Sequence, residues 1–121
     1  MPKDDYDVIV FKLLTYLYAC LKRTIVFDGE VFAQYIAKAE IAPEYFADIL
    51  CMMQEEGLIS GLVFKKVWGG NNILVGDISE AKITAGGIRY LNENSKMKNI
   101  RKAALASAGL LCDLVKLVMP E

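Results

Sequence analysis

The side chains that most often carry chemistry are sparse in this chain. It contains no histidine and three cysteines, Cys20, Cys51 and Cys112. Without imidazole there is no histidine acid–base pair, no Ser–His or Cys–His nucleophile, and no usual zinc ligand set. The cysteines are odd in number, widely spaced and set in apolar helical patterns, with no CxxC pair. They read as reduced core residues of a cytoplasmic protein. The carboxylate pairs Asp4–Asp5 and Glu55–Glu56 fall at solvated helix positions. The glycine pairs in "WGGNN" and "AGGIRYL" lack the strand–loop–helix context of a phosphate loop. They read as a hairpin turn and a helix start. These absences argue against an enzyme, and no metal or cofactor is expected.

What remains is charge and apolar surface. The net charge is −1, but residues 1–61 hold five basic and ten acidic side chains, whereas residues 62–102 hold eight basic and three acidic. An anionic partner would therefore meet the second half. Its candidate contacts are Lys65 and Lys66, and the cluster Lys96, Lys98, Arg101 and Lys102. The second cluster falls on more than one helical face and reads equally well as a solvated helix start. The apolar residues Leu111, Leu114, Val115 and Val118 form a stripe near the C-terminus. They suit packing on the first helix or across a two-fold dimer interface. The "MPKDDYD" start does not read as a signal peptide. The apolar run 103–119 is short and interrupted by Asp113 and Lys116, so no membrane span is expected.

Periodicity supplies the elements that position these residues. Asp4 to Arg23 reads as a helix with Tyr6, Ile9, Leu13, Leu17 and Leu21 on one stripe. Val8, Phe11, Tyr18 and Val26 widen its apolar surface. Asp28 fits the N-cap of a second helix, "GEVFAQYIAKAE", with Val31, Tyr35 and Ile36 inward. Pro43 fits the first turn of a third, 43–56, on which Tyr45, Phe46, Ile49, Leu50 and Met53 recur, and Gly57 stops it. "LISGLVFKKVW" then reads as one strand, "GGNN" as the turn and "ILVGDI" as the return strand. Thr84 fits the N-cap of a helix carrying Ile88 and Leu91. Ser95 fits the cap of a last helix over 96–118. The expected architecture is mainly α with a small β-hairpin. It is a winged helix-turn-helix over 1–121, with a core from about 4 to 94 and an additional C-terminal helix.

"EEGLISG", a hairpin and "KITAGGIRYLNENS" together resemble the YjcQ-like family of small bacterial and phage proteins. The matching residues are Glu56, Gly57, Leu58, Ile59, Gly61, Thr84, Gly87, Tyr90, Leu91, Glu93, Asn94 and Ser95. The resemblance covers roughly residues 6–102. It implies a winged-helix fold, frequent prophage origin, a largely uncharacterised function and no catalytic residue. The chain departs from the pattern at Gly86, where a polar or charged residue is usual, and in its apolar C-terminal helix.

Two readings of function follow. By fold and family analogy the chain is a regulatory winged-helix module that binds double-stranded DNA, as a homodimer. The alternative is a winged helix used for protein–protein contact and dimerisation, without nucleic acid. The third helix bears on the choice. It offers Glu44, Asp48, Gln54, Glu55 and Glu56 and no Lys or Arg, whereas base-reading helices present cations and amides. A third, weaker reading sets the amphipathic tail on a membrane surface.

Overall fold

The structure is a computed structural model; it describes residues 5–36, 41–70, 72–107 and 109–118, the side chain of Trp68 excepted. Asp4, the tail of the second helix and Asn71, all singled out from the sequence, lie outside these residues.

Helix α1 (Tyr6–Leu21) starts at Asp5, whose carboxylate accepts the Asp7 amide at 3.1 Å. Ten of its sixteen residues are buried, on every side, so it is the central helix. Two of the expected apolar positions are not in the core. Leu21 is 53% exposed, and Val26, beyond the helix, is 88% exposed. Helix α2 (Gly29–Ile36) is capped by Asp28, whose Oδ1 accepts the Glu30 and Val31 amides. Phe32, Tyr35 and Ile36 face inward, whereas Val31 is exposed. The rings of Tyr16, Phe27, Phe32 and Tyr35 pack with centroids 5.0–5.6 Å apart. The Tyr35 hydroxyl donates to the Lys12 carbonyl at 3.0 Å, so this buried polar group has its partner.

Helix α3 (Pro43–Glu55) buries Phe46, Ile49, Leu50 and Met53 and leaves Tyr45 exposed. Gly57 closes it, with Leu58 N donating to Met53 O at 2.9 Å. The expected single strand after Gly57 is two. Gly61, with φ of 93°, bends the chain, a conformation that costs glycine little. Before the bend, β1 (Ile59–Ser60) pairs with β4 (Lys82–Ile83); after it, β2 (Val63–Lys66) pairs antiparallel with β3 (Asn72–Val75). Gln54 holds the bend to α3. Its side chain donates to Leu62 O at 2.8 Å and accepts from Leu62 N at 3.0 Å. A residue that could have read bases is thus committed to the fold. The turn between β2 and β3 contains a short 3-10 segment, Trp68–Gly70.

Helix α4 (Ala85–Glu93) begins at Thr84, whose Oγ1 accepts the Gly87 amide at 3.0 Å. The same hydroxyl donates to Gly57 O, and Thr84 N donates to Leu58 O at 3.1 Å. The start of α4 is therefore clasped to the turn that ends α3. A Cβ on Gly87 would overlap Leu58 O and lie 2.8 Å from Ile83 Cγ1. Only a residue without a side chain lets the two backbones come this close.

The expected continuous last helix is two helices, α5 (Ser95–Leu105) and α6 (Leu110–Val118). Gly109, with φ of 120°, lies in the break. The cap of α5 is Asn94 rather than Ser95: its Oδ1 accepts the Lys96 and Met97 amides at 2.9 and 3.2 Å. Helix α6 folds back on α1 and α5. Lys22 Nζ donates to Val118 O at 2.9 Å, placing a cation at the negative end of α6. One cluster of buried residues takes side chains from all six helices. The architecture is mainly helical with small antiparallel strand pairs.

Candidate contact surface of α3 and the hairpin

The basic residues singled out from the sequence fall into two separate groups. Lys65 and Lys66 are exposed on β2, in a hairpin that packs on α3 through β3. Cys51 on α3 lies near enough to Glu55, Asp48 and Lys66 for all three charges to act on its thiol. Burial first, then Glu55 and Asp48, push that thiol up; Lys66 pulls it down. The other four residues lie on α5, which packs on α1, α4 and α6. Lys96 Nζ is 3.5 Å from Asp7 Oδ2, Lys98 and Lys102 are exposed, and Arg101 is half-buried. The Arg101 Nε is buried and has no hydrogen-bond partner among the described residues.

The apolar stripe on α6 is used inside the chain. Leu114, Val115 and Val118 are buried and Leu111 is half-buried, all in the common core. This is the intrachain option for those four residues; the exposed apolar side chains of α6 are Leu110 and Leu117.

Cys20 and Cys51 are half-buried and Cys112 is buried, all as free thiols. Burial also raises the Cys20 pKa, which works against a thiolate at neutral pH. Among the described residues no group of three or more His, Cys, Asp or Glu is placed to hold a metal ion. Nor is any described helix long and apolar enough to cross a membrane.

The hairpin shows a surface that the sequence reading missed. Phe64 and Leu74 are half-buried in contact with the core, so Val63, Lys65, Ile73 and Val75 occupy the opposite face. Val63 is 61% exposed, and Ile73 and Val75 are each 49% exposed. Val63 pairs directly with Val75, and Lys65 with Ile73. The strand period of two carried the signal, because Val63 and Phe64 cannot share a face. Reading 58–68 as one uniformly apolar strand hid it.

A groove runs between this hairpin and the first turns of α3. Its volume is about 510 Å³, and its lining includes Glu44, Phe46, Ala47, Ile73 and Leu74. The Asn72 side chain donates to Asp48 Oδ1 at 3.3 Å and ties β3 to α3.

Most residues of the signature that links "EEGLISG" to "KITAGGIRYLNENS" serve the fold. Gly57, Leu58, Thr84 and Gly87 form the clasp, Leu91 is buried, and Asn94 caps α5. A family model described as YjcQ protein matches residues 11–106. No curated protein and no solved structure matches the chain. The span of that match includes the clasp and every element from the hairpin to α5, and the chain belongs to the YjcQ protein family.

Proposed function

We propose that this chain is a winged-helix module whose α3–hairpin face binds another protein rather than reading duplex DNA. Helices α2 and α3, followed by a hairpin laid on α3, fit the winged-helix plan. The observation that carries the reading is the composition of the exposed face. The outer hairpin face is Val63, Ile73 and Val75 with one lysine, beside a helix bearing Glu44, Asp48 and Glu55 and no Lys or Arg. Phosphates are bound by cations and backbone amides, and carboxylates repel them. Contiguous exposed apolar residues mark protein contacts. On this reading the protein acts by contact and not by catalysis, in a reducing cytoplasm that suits its three free thiols.

The test is fluorescence anisotropy of a labelled mixed-sequence duplex at about 50 mM salt, where non-specific binding is strong. No saturable binding is expected. Binding that falls steeply with salt, and that Lys65→Glu with Lys66→Glu abolishes, would overturn the proposal.

A further inference from the structure

We propose that the groove beside β3 takes an extended, lysine- or arginine-bearing segment of a partner protein, added as a third strand to the hairpin. The inference deepens the contact reading above and rests on it.

The position of the groove comes first. Its lining includes the consecutive residues Asn72, Ile73 and Leu74. Consecutive strand residues point to opposite faces, so a cavity bordered by all three lies along the edge of the strand. Among the described residues β3 pairs with β2 alone. A strand with one neighbour turns half of its backbone N–H and C=O groups outward. The far wall is α3, through Glu44, Phe46 and Ala47. An open strand edge facing a helix across an apolar trough is the geometry of strand addition.

The two edges of the hairpin differ in charge. β2 carries Lys65 and Lys66, and edge lysines discourage pairing. β3 carries no charge over Asn72–Val75, so its edge has no such guard.

Charge and shape then set the chemistry of the occupant. The charged residue of the groove lining is Glu44. It lies in the first turn of α3, where its carboxylate already answers the positive helix end. A cation on the incoming segment meets Glu44, and an alternate apolar side chain enters between Phe46, Ala47 and Leu74. An anionic segment would meet repulsion at the same place.

The probe is a pair of capped peptides of about six residues, the usual strand length. One alternates valine with lysine and the other valine with glutamate. The readout is the amide spectrum of the isotope-labelled full chain, with amide hydrogen exchange. The lysine peptide is expected to shift Phe46, Ala47 and β3 amides and to slow exchange of alternate β3 amides. The glutamate peptide should bind at least about tenfold more weakly, and Glu44→Lys should reverse that preference. N-methylation of alternate peptide residues on one edge should abolish binding, and on the other edge leave it intact. Ala47→Trp, checked by circular dichroism to be folded, should fill the trough and abolish binding. Absence of shifts, shifts elsewhere on the molecule, unchanged β3 exchange or indifference to peptide charge would each overturn the proposal. So would slow β3 exchange without peptide together with a doubled mass, which would assign the edge to a second copy. None of these results requires duplex binding, so this proposal can fail while the protein-contact reading stands.

Discussion

Two adjacent glycines of α4 should respond very differently to the same substitution. Gly→Ala inside a helix adds up to about 1 kcal/mol of stability through propensity alone. At Gly86 the new Cβ would lie 3.0 Å from Gly57 O, so that carbonyl must give by a few tenths of an ångström, which offsets the propensity gain. Gly86→Ala should therefore be near neutral. At Gly87 the Cβ would overlap the Leu58 carbonyl and press on Ile83. Neither neighbour can yield cheaply. Leu58 follows the Gly57 turn, and Ile83 is paired with Ile59 in β1. Helix α4 must instead lift, which strains Thr84 N–Leu58 O, the Thr84 hydroxyl bond to Gly57 O and the Thr84 cap on Gly87 N. Each of these is worth about 1 kcal/mol. Set against the propensity gain, Gly87→Ala should cost roughly 2 kcal/mol net, within the range for overpacking. Urea unfolding of wild type, Gly86→Ala and Gly87→Ala, followed by far-ultraviolet circular dichroism, reads the difference directly. A Gly87→Ala protein as stable as wild type would refute the clasp.

Three other outcomes follow from the same packing. Asn94→Ala removes the α5 cap and should cost about 1 kcal/mol in urea unfolding, whereas Ser95→Ala should cost much less; the reverse order would contradict the assignment. Leu114→Ala opens a cavity where α6 meets the core and should cost about 2–5 kcal/mol. An unchanged unfolding midpoint would show that α6 is not part of the cooperative unit. Stability should be nearly flat from about pH 6 to pH 8, because the chain has no histidine and burial raises the Cys20 and Cys51 thiols. It should fall above about pH 10, since the native state holds the protons of Tyr6, Tyr16, Tyr35 and Tyr90 more tightly than the unfolded chain does. For a group whose pKa is raised on folding, stability is present below the unfolded value and lost as pH rises past it. Unfolding midpoints at pH 7, 9 and 11 check the sign, and a rise at pH 11 would contradict it.

The fold was largely legible because its punctuation is local. Asp28 and Thr84 as caps, Pro43 in the first turn and Gly57 as the stop each act within a few residues, and each lies where its chemistry directs. The errors arose where a distant partner decides. Gly61 bends because Gln54 on α3 holds Leu62 and because β4 claims β1; neither fact is visible in "LISGLVF". The break between α5 and α6 carries a stop signal in Gly109, but the alanines before it and the apolar period on both sides masked it; beyond the break α6 packs back on α1. Leu21 and Val26 matched an apolar period and yet lie outside the core. The surface of α3 was readable as acidic before any coordinates, since helix spacing alone exposes Glu44 and Glu55. The groove was not readable, because it depends on how the hairpin settles on α3.

The most direct measurement is an amide-shift titration of the isotope-labelled chain with a mixed-sequence duplex at about 50 mM salt. Helix α3 and the β2–β3 hairpin are expected to stay unshifted, with weak movement at most around the exposed lysines of α5. Saturable shifts running from Glu44 to Glu55 and through Lys65 and Lys66, lost as salt rises, would place duplex DNA on the face assigned to protein and contradict the account.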